Sequence, residues 1–141
     1  MRFNLTIKLG LFFLLFLTSS HSFAQIYEPV EWETEVKQTS EDEYQLIFKA
    51  EIEEKWHLYS QHLPPESTLP TIFIFNEAGE KYELVGETKE SEPVIAFDKV
   101  FNMELSFFED KAQFSQNIRV LDKSLGVVTT EIEYQVCDDE V

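Results

Sequence analysis

Apolar side chains recur at every second position through most of this chain, and only an extended backbone puts such residues on one face. Val30, Trp32, Thr34 and Val36 alternate with Glu31, Glu33, Glu35 and Lys37. Tyr44, Leu46, Phe48, Ala50 and Ile52 alternate with Gln45, Lys49, Glu51 and Glu53, Ile47 alone breaking the pattern. Met103, Leu105 and Phe107 form a shorter set. Ala112, Phe114, Ile118 and Val120 alternate with Lys111, Gln113, Ser115 and Arg119, and Ile132, Tyr134 and Val136 with Glu131, Glu133 and Gln135. Thr71-Ile72-Phe73-Ile74-Phe75 is apolar on both faces, the pattern of a central or covered strand. Turn-forming clusters separate the runs: Ser40-Glu41-Asp42, Glu53-Glu54-Lys55, Asn76-Glu77-Ala78-Gly79, Glu109-Asp110 and Asp122-Lys123-Ser124. No window of helical periodicity competes. Seven to nine short strands at this spacing predict an all-β, immunoglobulin-like antiparallel β-sandwich in one domain.

Residues 1–24 have the pattern of a secretory signal peptide. Arg2 and Lys8 give a basic start, Leu9 to Leu17 an apolar core, and Ser22-Phe23-Ala24 a small-residue cleavage site. The apolar run is far short of the roughly 20 residues that span a bilayer, so a cleaved leader is expected, with no membrane span in the mature chain. No cysteine lies near the site to carry a lipid. Cleavage after Ala24 leaves residues 25–141 and moves the net charge from −16 to −18, because it removes two basic residues and no acid. A chain so acidic is a poor partner for nucleic acid or for anionic membrane surfaces, and its charge keeps a solvated surface.

An exported chain enters an oxidising compartment, where a lone cysteine is either buried and inert or lacks a partner. Cys137 is the single cysteine. Parity with Glu131, Glu133 and Gln135 places it on the solvent face of the last strand, where a thiol pairs, reacts or is oxidised. Asp138, Asp139 and Glu140 follow it, and like charge disfavours a thiolate there. Cys137 is therefore a weak attacking nucleophile, but in a disulfide it remains open to attack by another thiolate. The competing reading is a buried structural thiol beside a solvated acidic turn.

Two stretches read as irregular. Gln61 to Pro70 contains three prolines, which exclude ladder pairing, and Pro93 to Asn102 puts Phe97, Val100 and Phe101 in or beside a loop. Apolar residues there need a lid, a partner or a core contact; plugging one end of the sandwich is the plain alternative. His57 and His62 are five apart, on opposite faces of any continuous strand, which argues against a zinc site; no cofactor is expected. His57 reads as a strand residue whose ring finds a local hydrogen bond. No phosphate loop or nucleophile elbow is present. The aromatic residues read as core rather than as a sugar platform.

Four segments together resemble the N-terminal periplasmic domain of the thiol:disulfide interchange protein DsbD, or protein-disulfide reductase, family: Pro29-Val30-Glu31-Trp32, Glu54-Lys55-Trp56-His57-Leu58-Tyr59-Ser60-Gln61, Phe97 through Glu104, and Glu133-Tyr134-Gln135-Val136-Cys137-Asp138-Asp139-Glu140. The resemblance implies an immunoglobulin-like sandwich whose last strands carry two redox cysteines. Cys137 matches the first, and the second would fall just beyond Val141, so the expected exchange site is half present in this sequence. It also implies an aromatic cap over the disulfide, which corresponds to Phe97, Val100 and Phe101 here. The implied location is the periplasm. The implied partners are thioredoxin-like proteins, namely isomerases and cytochrome c maturation factors, together with a thioredoxin-like electron donor domain. The alternative is a non-catalytic exported binding or structural domain with an incidental cysteine; a carbohydrate-binding sandwich would need aromatic rings clustered on one exposed face.

Overall fold

A computed structural model of the chain describes residues 27–138, so the signal-peptide segment and Asp139 to Val141 lie outside the described residues. The fold is all-β, with ten strands in two facing layers. Strands β1 (Val30–Gln38), β2 (Glu43–Ile52), β8 (Lys111–Val120) and β5 (Tyr82–Glu90) form one antiparallel sheet in the order β1-β2-β8-β5. The second sheet runs β10-β3-β7-β6, from β10 (Val136–Asp138), β3 (Trp56–Tyr59), β7 (Met103–Phe108) and β6 (Val94–Asp98). A two-stranded ribbon, β4 (Ile72–Phe75) with β9 (Thr130–Glu133), completes the second layer. No helix long and apolar enough to cross a membrane occurs among the described residues.

The alternating residues of β2 and β8 become the core. Leu46, Phe48, Ala50, Ile52, Ala112, Phe114 and Ile118 are all buried. Register pairs Phe48 with Phe114 and Ala50 with Ala112, so large residues stack in one layer and small ones in the next. The ribbon closes over them through Phe73, whose ring lies 4.9 Å from Phe48 and 5.0 Å from Phe114. Trp32 adds edge-on contacts to Phe73 and Tyr134.

Three expectations from the pattern are corrected. Val30 and Trp32 face the core, but Thr34 and Val36, of the same parity, are exposed. The opposite layer is irregular over residues 121–129 and does not cover that end of β1. The segment 71–75 is not central either: β4 pairs only with β9 among the described residues, burying its phenylalanines partly and leaving Ile72 and Ile74 exposed. Pro93 to Asn102 is only half irregular, since β6 (residues 94–98) pairs in full register with β7 and residues 99–102 form the turn.

Strand β5 was not evident from periodicity. Its register against β8 breaks between Val85 and Lys89, where Gly86 takes φ +73, a conformation that side-chain-bearing residues rarely adopt. Buried Gln116 satisfies this bulge: its Nε2 donates to the carbonyls of Gly86 and Asn117, and its Oε1 accepts from the Thr88 hydroxyl. A polar side chain in a core strand is tolerated there because each of its atoms has a partner.

Candidate redox site around Cys137

Cys137 lies in β10 with His57 of β3 directly opposite it, and it is half-buried rather than on the solvent face. The parity argument failed because β9 and β10 are not one strand. The ribbon ends at Glu133, and Tyr134-Gln135 carries the chain across to the other sheet. That crossover is pinned. The Gln135 carboxamide oxygen accepts from the Thr68 hydroxyl at 2.5 Å and from the Leu69 amide, and its backbone carbonyl accepts from the Tyr59 amide. This two-residue passage between sheets resets the face on which every following side chain points.

Cys137 packs against a small apolar cluster separate from the main core, made of buried Tyr59, Leu105 and Phe107. Phe101 packs on the same cluster from the β6–β7 turn, its ring edge-on to Tyr59 at 6.2 Å. His57 stacks on Phe107 with ring centroids 4.3 Å apart, and its Nε2 lies 3.1 Å from Glu109 Oε1. The thiol is a weak donor to the Asp138 carbonyl at 3.5 Å. His62 is exposed and is not brought to His57.

The turn carrying Phe101 is held by Asp98. Its Oδ1 accepts the amides of Val100 and Phe101 at 2.8 and 3.1 Å, while Oδ2 accepts the Tyr59 hydroxyl at 2.8 Å. One carboxylate therefore shapes the turn and latches it to β3. Asn102 closes the turn with φ 55, which asparagine adopts more readily than most residues. Burial alone would raise the Asp98 carboxyl, but hydrogen bonds from Phe101, Tyr59 and Val100 outweigh it, with His57 adding to them. The net result holds it below the usual carboxylate range. Burial pushes the Tyr59 hydroxyl well above its ordinary range, helped by Asp98 and by the nearby Cys137 sulfur. Tyr59 thus keeps its proton, and a neutral hydroxyl stands between carboxylate and sulfur.

A carboxyl depressed on folding stabilises the folded form above its ordinary range, and the contribution is lost as pH falls through the lowered value. Acidification from about pH 6 to about pH 3 is therefore expected to lower hydrogen-exchange protection at the Val100 and Phe101 amides. Asp98→Asn should remove most of that pH dependence. Equal protection at both pH values in the unmodified chain would contradict the latch.

The three residues expected to form a cap part company. Phe101 turns inward onto the Cys137 cluster, whereas Phe97 and Val100 are 58% and 53% exposed. Tyr59 and Asp98 were not singled out from the sequence. An aspartate opening a short turn that ends in asparagine is a local signal for the latch, but nothing near it marks Tyr59 as its partner. No group of three or more His, Cys, Asp or Glu residues is placed to hold a metal ion among the described residues.

The family model described as "Thiol:disulfide interchange protein DsbD, N-terminal" matches residues 25–141, a span that includes every residue of this site. No curated protein matches the chain.

Proposed function

The chain belongs to the family of DsbD N-terminal domains, and from that premise we propose that it relays reducing equivalents in the periplasm through a disulfide in which Cys137 is one sulfur. The observation that carries this reading is the half-buried thiol on β10, backed by the Tyr59–Leu105–Phe107 cluster and faced by a turn that Asp98 holds closed. An inert structural thiol needs no such latch.

The exchange runs as follows. A thiolate from a thioredoxin-like donor attacks one sulfur of the Cys137 disulfide, forming a mixed disulfide and releasing the other sulfur as a thiolate. The donor's second thiolate then attacks the donor sulfur of the mixed disulfide, closing the donor's own disulfide and releasing the bound sulfur of the Cys137 pair as a thiolate. Two electrons have moved: the donor dithiol is oxidised and the Cys137 pair is reduced. The reduced pair passes them on by the same two steps to a thioredoxin-like acceptor, an isomerase or a cytochrome c maturation factor. The second sulfur is that of the family's second cysteine.

Three features support the assignment of roles. Phe101 shields the sulfur against adventitious thiols. Tyr59, protonated and beside the sulfur, keeps its one hydroxyl proton on Asp98 and so holds the latch closed next to the reacting pair. The exposed pair Phe97 and Val100 gives an approaching partner an apolar grip on the hairpin that carries the shield.

Removing the shield tests this directly. Phe101→Ala is expected to speed alkylation of Cys137 by iodoacetamide by about tenfold, since reactivity follows access. Phe97→Ala, which leaves the shield in place, should not. Equal rates for all three proteins would show that Phe101 does not guard the thiol.

A further inference from the structure

Beyond the Cys137 site, the main sheet has an unfinished end. The interior face of β1 continues past Trp32 into Thr34 and Val36, which stay exposed although the irregular segment 121–129 lines the space across from them. Below it lies a cavity of about 850 Å³ walled by Leu46, Phe48, Ile118, Leu125 and Ile132, which shares no residue with the cysteine cluster. Val36 and Val127 flank its mouth, 64% and 75% exposed. Such a volume accommodates large apolar side chains, and two valines left this bare at the opening of an apolar cavity indicate that something seats there.

Two further observations specify the occupant. β1 pairs only with β2 among the described residues, so along nine residues it presents a free edge of backbone donors and acceptors. Glu31, Glu33 and Glu35 line the outer face of that edge ahead of Lys37, and Glu41 and Asp42 stand at the cavity rim, where Lys123 is the only cation lining it among the described residues. Of these acids, Glu35 already bonds Lys49 at 2.9 Å. A strand added along β1 alternates its side chains between the cavity and the acidic face.

We propose that the edge of β1 and the cavity beneath Val36 form a docking site for an extended peptide segment of a partner protein, with apolar residues alternating with lysine or arginine. Backbone pairing to β1 supplies affinity. Apolar side chains seated beside Val36 and Leu46 fix register, and cations opposite Glu33 select against acidic segments. The site is independent of thiol exchange and would hold a partner while the cysteine cluster remains free.

The test is fluorescence anisotropy of a labelled Lys-Val-Lys-Val-Lys-Val-Lys peptide titrated with the full chain. Saturable binding is expected, undetectable for the Glu-Val-Glu-Val-Glu-Val-Glu peptide and unchanged by Cys137→Ser. Val36→Asp should weaken it at least tenfold despite adding a negative charge, and because Val36 is exposed that variant should keep the parent's urea midpoint. Equal binding to Val36→Asp would reduce the effect to surface charge and overturn the proposal. So would absence of peptide binding. Uptake of dodecyltrimethylammonium without peptide binding would make the cavity a small-amphiphile site, and a dimer in sedimentation that Val36→Asp dissolves, again without peptide binding, would assign the edge to a second copy.

Discussion

Replacing Cys137 with serine is expected to reduce mixed-disulfide formation with a thioredoxin-like partner to background, with no residual slow phase. The Cys137 sulfur is the atom that enters the mixed disulfide, and no other cysteine exists in the sequence to substitute for it. The measurement is trapping of the covalent adduct with a partner that lacks its resolving cysteine and carries its remaining one as the thionitrobenzoate disulfide, so that Cys137 displaces thionitrobenzoate, read on a non-reducing gel and by intact mass. Serine is close to cysteine in size, and the residue is only half-buried on a short edge strand. The variant should therefore unfold within about 0.5 kcal/mol of the parent, so loss of trapping reports chemistry rather than folding. An adduct that survives in Cys137→Ser would overturn the exchange assignment. An adduct absent from the unmodified chain, with a partner active toward other thiols, would favour the non-catalytic reading.

The second large effect concerns the scaffold. Phe114 is fully buried in β8, and its ring contacts those of Trp32, Phe73 and Phe108 at 5.0 to 5.9 Å. It is the residue that joins β1, the β4–β9 ribbon and β7. Phe114→Ala should cost about 3–5 kcal/mol, because the surrounding aromatic rings belong to three separate strands and cannot collapse together into the space. Against a total stability of about 5–15 kcal/mol this is about a fifth of the whole or more, visible as a large drop in urea midpoint. Phe114→Leu, which keeps most of the volume, should cost distinctly less. A loss under about 1 kcal/mol for the alanine variant would mean that the aromatic cluster is not the centre of the fold.

The main sheet was legible because β2 and β8 bury one face against a continuous core, and a half-buried strand writes that asymmetry into alternate residues. Strand β5 escaped detection because it is an edge whose bulge at Gly86 interrupts the alternation, and its inward neighbour on β8 is the polar Gln116. β4 misled for a related reason: Ile72 and Ile74 look like core residues by type, yet among the described residues they stay exposed.

At the site, the resemblance located Cys137 and the hairpin bearing Phe97, Val100 and Phe101. It could not sort them, since which aromatic faces the sulfur depends on where the turn begins. The burial of Cys137 was misread because its face depends on a crossover between sheets, which parity along the chain cannot register. The link from Asp98 to Tyr59 spans 39 residues and joins two strands that are not neighbours in sequence. Composition carries no trace of such a contact.

The brevity of β10 has a consequence of its own. Cys137 is held by a ladder of three residues paired to a single neighbour among those described, while β2 and β8 of the main sheet are long strands with one face buried in the core. Disulfide exchange requires the incoming sulfur, the attacked sulfur and the departing sulfur to come nearly into line, and the attacked atom must shift at each transfer. A short tether supplies that travel locally. Opening of this short ladder is expected to cost far less than global unfolding, so sulfur geometry at this end could change while the core stays still.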